Sequence, residues 1–332
     1  MSRSYSKIIK INKNKLINTF IELLKIKSPS KDEKKIVDYV SKRLAKTGIK
    51  VLIDNCGQKF GSNAGNIIGI MKSKNSKEFL PIFLGAHLDT VKLSGDVIPM
   101  SKNGRIINQN KDCVLGGDDK VAVAAIIEVM DVIKKNKIKT GDIYIILTIS
   151  EEIGILGAKN IDLKPVKARY GFVFDADGDI GTIYNEGPYH NKIEIEVVGK
   201  ASHAGVEPEK GINSIQLASH AISNLKLGRI DAETTCNIGL IEGGVETNII
   251  PEKTKVKGEA RSLKLSKLEN VTSDIINTFK DSVYKNGARM KFKVKREYNG
   301  FKISEEEISV KIAKDIIKKM GSLFVVKRIA TP

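Results

Sequence analysis

The sequence predicts an α/β fold: a mostly parallel sheet covered by helices, with an inserted ferredoxin-like α+β domain. Apolar strand-length runs alternate with segments of helical periodicity through the first half of the chain. Short polar clusters stand at the ends of apolar runs: His87-Leu88-Asp89, Asp118-Asp119, Glu151-Glu152 and Asp175. Beyond Gly187 the texture changes to strands with one polar face. With 332 residues, 41% hydrophobic, the chain is long enough to build a substantial core and two domains.

The first elements are helical. Over 15–26 the residues Leu16, Ile17, Phe20, Leu23 and Leu24 recur at helical spacing. After the break at Ser28-Pro29, Ser30 and Glu33 have the spacing of a capping box ahead of a second apolar stripe of Ile36, Val37, Val40 and Leu44. Strands are predicted over 50–53, 66–71 and 80–86, the last running straight into His87. A helix rich in Ala, Val and Ile follows over 119–133, then an apolar strand over 143–149 that leads to Glu151-Glu152, and another over 171–174 that ends at Asp175. In such sheets ligands bind at the carboxyl ends of the strands, which is where the polar clusters fall.

In the second half, Ile193, Ile195 and Val197 alternate with Lys192, Glu194 and Glu196. A helix over 212–227, strands over 234–241 and 255–262, a helix over 265–283 and a strand over 289–296 complete a β-α-β-β-α-β order. A helix over 305–320 reads as a return to the first domain. The expected division is 1–186 with 300–332 for the catalytic domain, and 187–299 for the insertion.

Charge and cysteine use narrow the function classes. The chain carries 56 Lys+Arg against 39 Asp+Glu, a net charge of +17. The lysines are spread along its length without interleaved aromatic residues, so solvated surface is expected rather than a nucleic-acid site. Cys56, Cys113 and Cys236 show no Cys-x-x-Cys spacing and cannot all pair, which fits a reducing compartment. No secretory leader and no membrane-length apolar run is evident, so a cytoplasmic protein is expected.

The polar clusters carry the chemistry. Carboxylates and a histidine at the ends of buried strands need pairing or a cation, and a pair of zinc ions is the expected partner. His87 offers an imidazole ligand, and Asp89 is near enough to orient its ring. Asp118 stands after Gly116-Gly117 at a strand-to-helix corner, where one of two adjacent aspartates can cap the helix while the other faces the cavity and bridges two cations. Of the Glu151-Glu152 pair, one can ligate metal while the other takes a proton from the attacking water. Taken singly, each cluster has an ordinary explanation: a satisfied strand-end histidine, a helix cap, a surface Glu-Glu pair.

The order His87-Leu88-Asp89-Thr90, Gly117-Asp118-Asp119-Lys120, Glu151-Glu152-Ile153-Gly154, Asp175 and Ser202-His203-Ala204-Gly205 resembles the di-zinc exopeptidase and aminoacylase family, in particular its peptidase T-like branch, over nearly the whole chain. That resemblance implies that His87 and Asp175 hold one zinc, Asp118 bridges both, and Glu152 binds the second. It makes Glu151 the general base and acid, and Asp89 the partner of His87. It further implies that the inserted domain mediates homodimer formation and that His203 stabilises the oxyanion. The resemblance also implies that Asn248 and Arg261 contact substrate, where a guanidinium suits a carboxylate.

The family's last zinc ligand is a histidine near the C-terminus, and none of His87, His190, His203 or His220 takes that place. The corresponding expectation is a weakened second zinc and weakened or absent activity for these residues as they stand. An aminopeptidase of short peptides is the leading expectation; an N-acyl amino acid deacylase or carboxypeptidase of the same family, and an inactive dimerising scaffold, are the alternatives.

Overall fold

The computed structural model describes residues 11–329, which form two compact units divided between Asp177 and Gly178. The first begins with helices α1 (Lys13–Leu24) and α2 (Lys34–Lys46) and strands β1 (Lys50–Ile53), β2 (Ile67–Met71) and β3 (Ile82–His87). Hairpin strands β4 (Pro99–Lys102) and β5 (Arg105–Asn108), helix α3 (Lys120–Lys135), strand β6 (Ile143–Thr148), the short helix α4 (Leu156–Asn160) and strand β7 (Tyr170–Val173) complete it.

Its main sheet has the order β1-β2-β6-β3-β7. The β6-β3-β7 portion is parallel, as the alternating pattern predicts, whereas β1 pairs with β2 and β2 with β6 in antiparallel fashion. The sheet is therefore mixed rather than mostly parallel. Between β1 and β2 the chain carries only a short 3-10 turn, Cys56–Lys59, and without a crossover helix the chain returns antiparallel.

Leu23, Ile36, Val40, Leu44, Ile67, Val123, Ile145 and Leu147 are fully buried and join the helices to this sheet in one core. Each such side chain contributes about 1.5–3 kcal/mol by leaving water. Helix α1 opens on Asn12, whose side chain accepts from the Lys15 N–H at 3.1 Å. The β4-β5 hairpin escaped the sequence reading, although its Asn103-Gly104 turn, with φ of 51° and 75°, is a strong local hairpin signal.

The second unit contains β9 (Tyr189–Val198), α5 (Ser214–Ser223), β10 (Gly228–Asp231), β11 (Thr234–Gly243), β12 (Lys253–Ser262), α6 (Leu265–Tyr284) and β13 (Arg289–Tyr298), after β8 (Thr182–Gly187). The antiparallel sheet order β10-β11-β12-β9-β13 is the ferredoxin-like arrangement with β10 added at one edge. Ile193, Ile195 and Val197 pack with Val256, Leu268, Ile275, Phe279 and Val283 under the two helices.

The opposite face is a charged lattice, in which Glu196 is flanked by Lys255 and Lys291, and Glu194 by Lys257 and Lys293. Strand β13 closes this sheet at its other edge with exposed Lys291, Lys293 and Lys295. The strands on either side of this segment meet: β8 pairs antiparallel with β14 (Phe301–Lys302) and parallel with β15 (Val325–Arg328), and α7 (Ile308–Lys319) packs against β8.

Candidate active site

Strand β3 ends on His87, which is 2% exposed, and its parallel neighbour β7 stops just short of Asp175. The His87 Nε2 lies 3.2 Å from Asp118 Oδ1 and 3.9 Å from Asp175 Oδ1. Asp118 reaches this point from the corner ahead of α3, where Gly116 adopts a left-handed φ of 63° that favours glycine. One ligand atom from each of His87, Asp118 and Asp175 lies within 4.8 Å of the others, a spacing that suits a shared cation. Neither adjacent aspartate caps α3 through its side chain: Asp119 instead accepts from the His87 backbone N–H at 3.3 Å.

Asp89 is fully buried and ties the strand end to the next loop. Its Oδ1 accepts from the Glu151 N–H at 2.9 Å, and its Oδ2 from the Glu152 N–H at 3.2 Å and from Ser30 Oγ at 2.6 Å. His87 Nδ1 is 3.5 Å from Asp89 Oδ1, an ion-pair distance. One carboxylate thus faces the imidazole and holds the backbone that presents both glutamates. The Glu152 side chain stands outside the His87-Asp118-Asp175 trio, within the field of Asp118 and Asp89.

The electrostatics call for positive charge. Burial alone would depress His87, but Asp89, Asp175 and Asp119 outweigh it and hold the imidazole at about 10. Burial pushes Asp119 up to about 8 and Glu151 up to about 7, and raises Glu152 and Asp175 as well. Asp89 behaves oppositely: burial opposes ionisation, yet His87, Ser30 and the Glu151 amide hold it below the usual carboxylate range. Two carboxylates gathered at the Nε2 side of one buried imidazole form a donor set that fits divalent zinc.

The remaining expected residues lie in the second unit. His203 Nδ1 accepts from the Gly205 N–H at 3.2 Å, which leaves Nε2 as the ring's donor. Its loop pairs with that of Asn248: the Ala204 N–H donates to the Asn248 carbonyl at 2.9 Å, and the Ile250 N–H to the Ser202 carbonyl at 2.9 Å. Arg261 is already engaged, its Nε 3.0 Å from Glu259 Oε1.

Comparison with known proteins follows the same lines. A model described as the peptidase dimerisation domain matches residues 190–286, and one described as M42 glutamyl aminopeptidase matches residues 92–200. An uncharacterized Bacillus subtilis protein, YqjE, is 37% identical over 311 residues, covering 94% of this chain and 83% of its own. The chain belongs to the M20/M42 zinc exopeptidase family. Among solved structures of that kind, the aminopeptidase PepT of Bacillus cereus is 34% identical with a TM-score of 0.89, over 97% of this chain and 86% of its own. A Staphylococcus aureus tripeptidase is 32% identical with a TM-score of 0.92, over the same shares. The zinc exopeptidase-like α/β fold with its dimerisation domain is therefore established for this family member.

Long-range contacts that sequence reasoning missed hold the backbone around these residues. Ser30 and Glu33 do have capping-box spacing, but Ser30 binds Asp89, and Glu33 accepts from the Ser150 N–H at 2.9 Å and its Oγ at 2.7 Å. Helix α2 is met at its start by a distant loop instead, with the Lys34 N–H donating to Asn63 Oδ1 at 3.0 Å. Buried Asn66 accepts from the Ile149 N–H at 3.1 Å and donates to the Gly157 carbonyl at 3.0 Å, pinning both ends of the glutamate loop. Lys120 is 1% exposed, donates to the Ile26 carbonyl at 2.6 Å, and is pushed down to about 8 by burial. Only the Ser-x-x-Glu spacing offered a signal, and it pointed to a different partner.

Proposed function

We propose that this chain is a metal-dependent exopeptidase, an aminopeptidase that hydrolyses short peptides, with zinc as its metal. The observation that carries the reading is the meeting of His87, Asp118 and Asp175 at one strand end, beside a buried Asp89 that faces His87 and holds the Glu151-Glu152 backbone. Likeness to an aminopeptidase and a tripeptidase supports the choice within the family.

In this reading His87, Asp118 and Asp175 would hold one zinc, and Asp118 with Glu152 would hold a second. Zinc bound there supplies Lewis acidity to the scissile carbonyl and to the attacking water. Glu151, presented beside the trio by the Asp89-held loop, takes the proton from that water and returns it to the leaving amine. Asp89 keeps the His87 ring oriented, so that its Nε2 faces the metal side. His203 stabilises the oxyanion through the Nε2–H that its Gly205 contact leaves free to donate. Asn248 and Arg261 bind the peptide's polar ends, Arg261 by exchanging Glu259 for a substrate carboxylate.

The domain division that suits this chemistry is 187–299 inserted into a catalytic domain of 1–186 and 300–332. The pairing of β8 with β14 and β15 across the insertion supports it. A homodimer through the dimerisation domain and a cytoplasmic location complete the proposal. Three free cysteines support that location, and no helix among the described residues is long and apolar enough to cross a membrane.

The test is a Glu151→Ala variant assayed on free tripeptides and on N-acylated amino acids, with zinc content measured alongside. The expected result is unchanged zinc with turnover of tripeptides reduced about 10²–10⁴-fold. Retained turnover removes Glu151 as the base. Preference of the unaltered chain for N-acylated amino acids makes it a deacylase instead.

A further inference from the structure

Segment 28–33 contributes no ligand to the proposed metal site, yet it grips two of the pieces from which the site is made. Ser30 Oγ donates to Asp89 Oδ2 at 2.6 Å. Three residues on, Glu33 is 0% exposed and surrounded by donors: the Lys31 N–H at 2.9 Å, the Ser150 N–H at 2.9 Å and the Ser150 Oγ at 2.7 Å all reach Oε1, while Ser62 Oγ reaches Oε2 at 2.7 Å.

We propose that Glu33 is a positioning residue, whose hold on Ser150 fixes the loop that presents Glu151 and Glu152. This rests on reading Glu151 as the base and Glu152 as a metal ligand. Ser150 has a φ of 53°, a left-handed conformation that a non-glycine residue keeps only with outside support. Both of its donors point at Glu33, and it is itself 0% exposed, so no water replaces that acceptor. Directly after it, the Glu151 and Glu152 amides turn to Asp89. The loop is therefore anchored twice in succession, first on Glu33 and then on Asp89. Release of the first anchor lets Ser150 leave its left-handed state, and the following two amides swing away from the second.

Amide hydrogen exchange on the full chain tests this without recourse to activity. In Glu33→Ala, the amides of Glu151 and Glu152, which do not touch Glu33, exchange at least about tenfold faster, the scale of one buried hydrogen bond lost. Glu33→Gln stays within about threefold, because its amide oxygen still accepts from Ser150 and its NH2 donates to Ser62 Oγ. Leu44→Ala, a cavity in α2 at a fully buried position, serves as the destabilised control and leaves the two amides protected.

If Glu33→Ala does not fold, Ser150→Ala is measured in its place, and faster exchange at both glutamates is again expected. Protection at Glu151 and Glu152 equal to that of the control overturns the proposal. Tripeptide kinetics give the second readout: kcat falls in Glu33→Ala while KM changes little, and an unchanged kcat also overturns it. If the unaltered chain binds no zinc at His87, Asp118 and Asp175, the functional reading fails, while exchange still decides the role of Glu33.

Discussion

His190 shows what burial does to a single titratable group in this chain. It is 4% exposed on β9, edge-on to Tyr298 of β13 at 5.0 Å, with its Nε2 3.2 Å from Glu259 Oε2. Burial, followed by Arg261 on β12, holds it below its ordinary 6.5; Lys192 on its own strand pulls the same way, and Glu259 opposes them. The folded state therefore takes up this proton at lower pH than the unfolded chain does. As pH falls through 6.5, the unfolded state binds more protons and the second unit loses stability. Denaturant midpoints followed at pH 7 and pH 5 should drop on acidification, and the drop should shrink in His190→Gln. An equal drop in both chains would assign the effect to other groups.

At the level of elements, the glutamate loop between β6 and α4 is the most exacting piece of the first unit. Gly157 admits no side chain: a Cβ there would stand 2.2 Å from the Ile149 carbonyl oxygen and 2.5 Å from Asn66 Oδ1. Gly157→Ala should cost about 1–3 kcal/mol in thermal or denaturant unfolding and loosen the loop, with a larger loss of tripeptide turnover than of stability. The elements themselves were largely legible. Period-3.6 stripes placed α1 to α3, and apolar runs placed β1 to β3, β6 and β7, because burial on the sheet dictates residue type at each position. What stayed hidden was long-range pairing. Nothing local shows that Asn66 meets Ile149 or that Glu33 meets Ser150, since these partners are 83 and 117 positions apart in sequence. His87, Asp89 and Asp175 were legible because polar residues at the ends of apolar strands are chemically anomalous. Ser30 and Glu33 were read as a helix cap because their spacing satisfies two different purposes equally well.

On the scale of the whole molecule, each unit has its own apolar centre. Phe279 is fully buried under the second sheet. Phe279→Ala should lower the stability of that unit by about 3–5 kcal/mol and leave zinc affinity at His87, Asp118 and Asp175 unchanged, measured by calorimetry. A parallel loss of zinc affinity would mean that the two centres are energetically linked.

The lysines along β13 have a consequence for how copies of the chain meet. Among the described residues no strand covers the outer side of β13, and such a margin is a template for any strand that approaches it. Lys291, Lys293 and Lys295 confront an identical margin with like charge, so crowding two of them together is uphill until salt shields the repulsion. Replacing all three with threonine should turn a well-behaved protein into one that forms ordered aggregates at concentrations where the parent stays clear by light scattering.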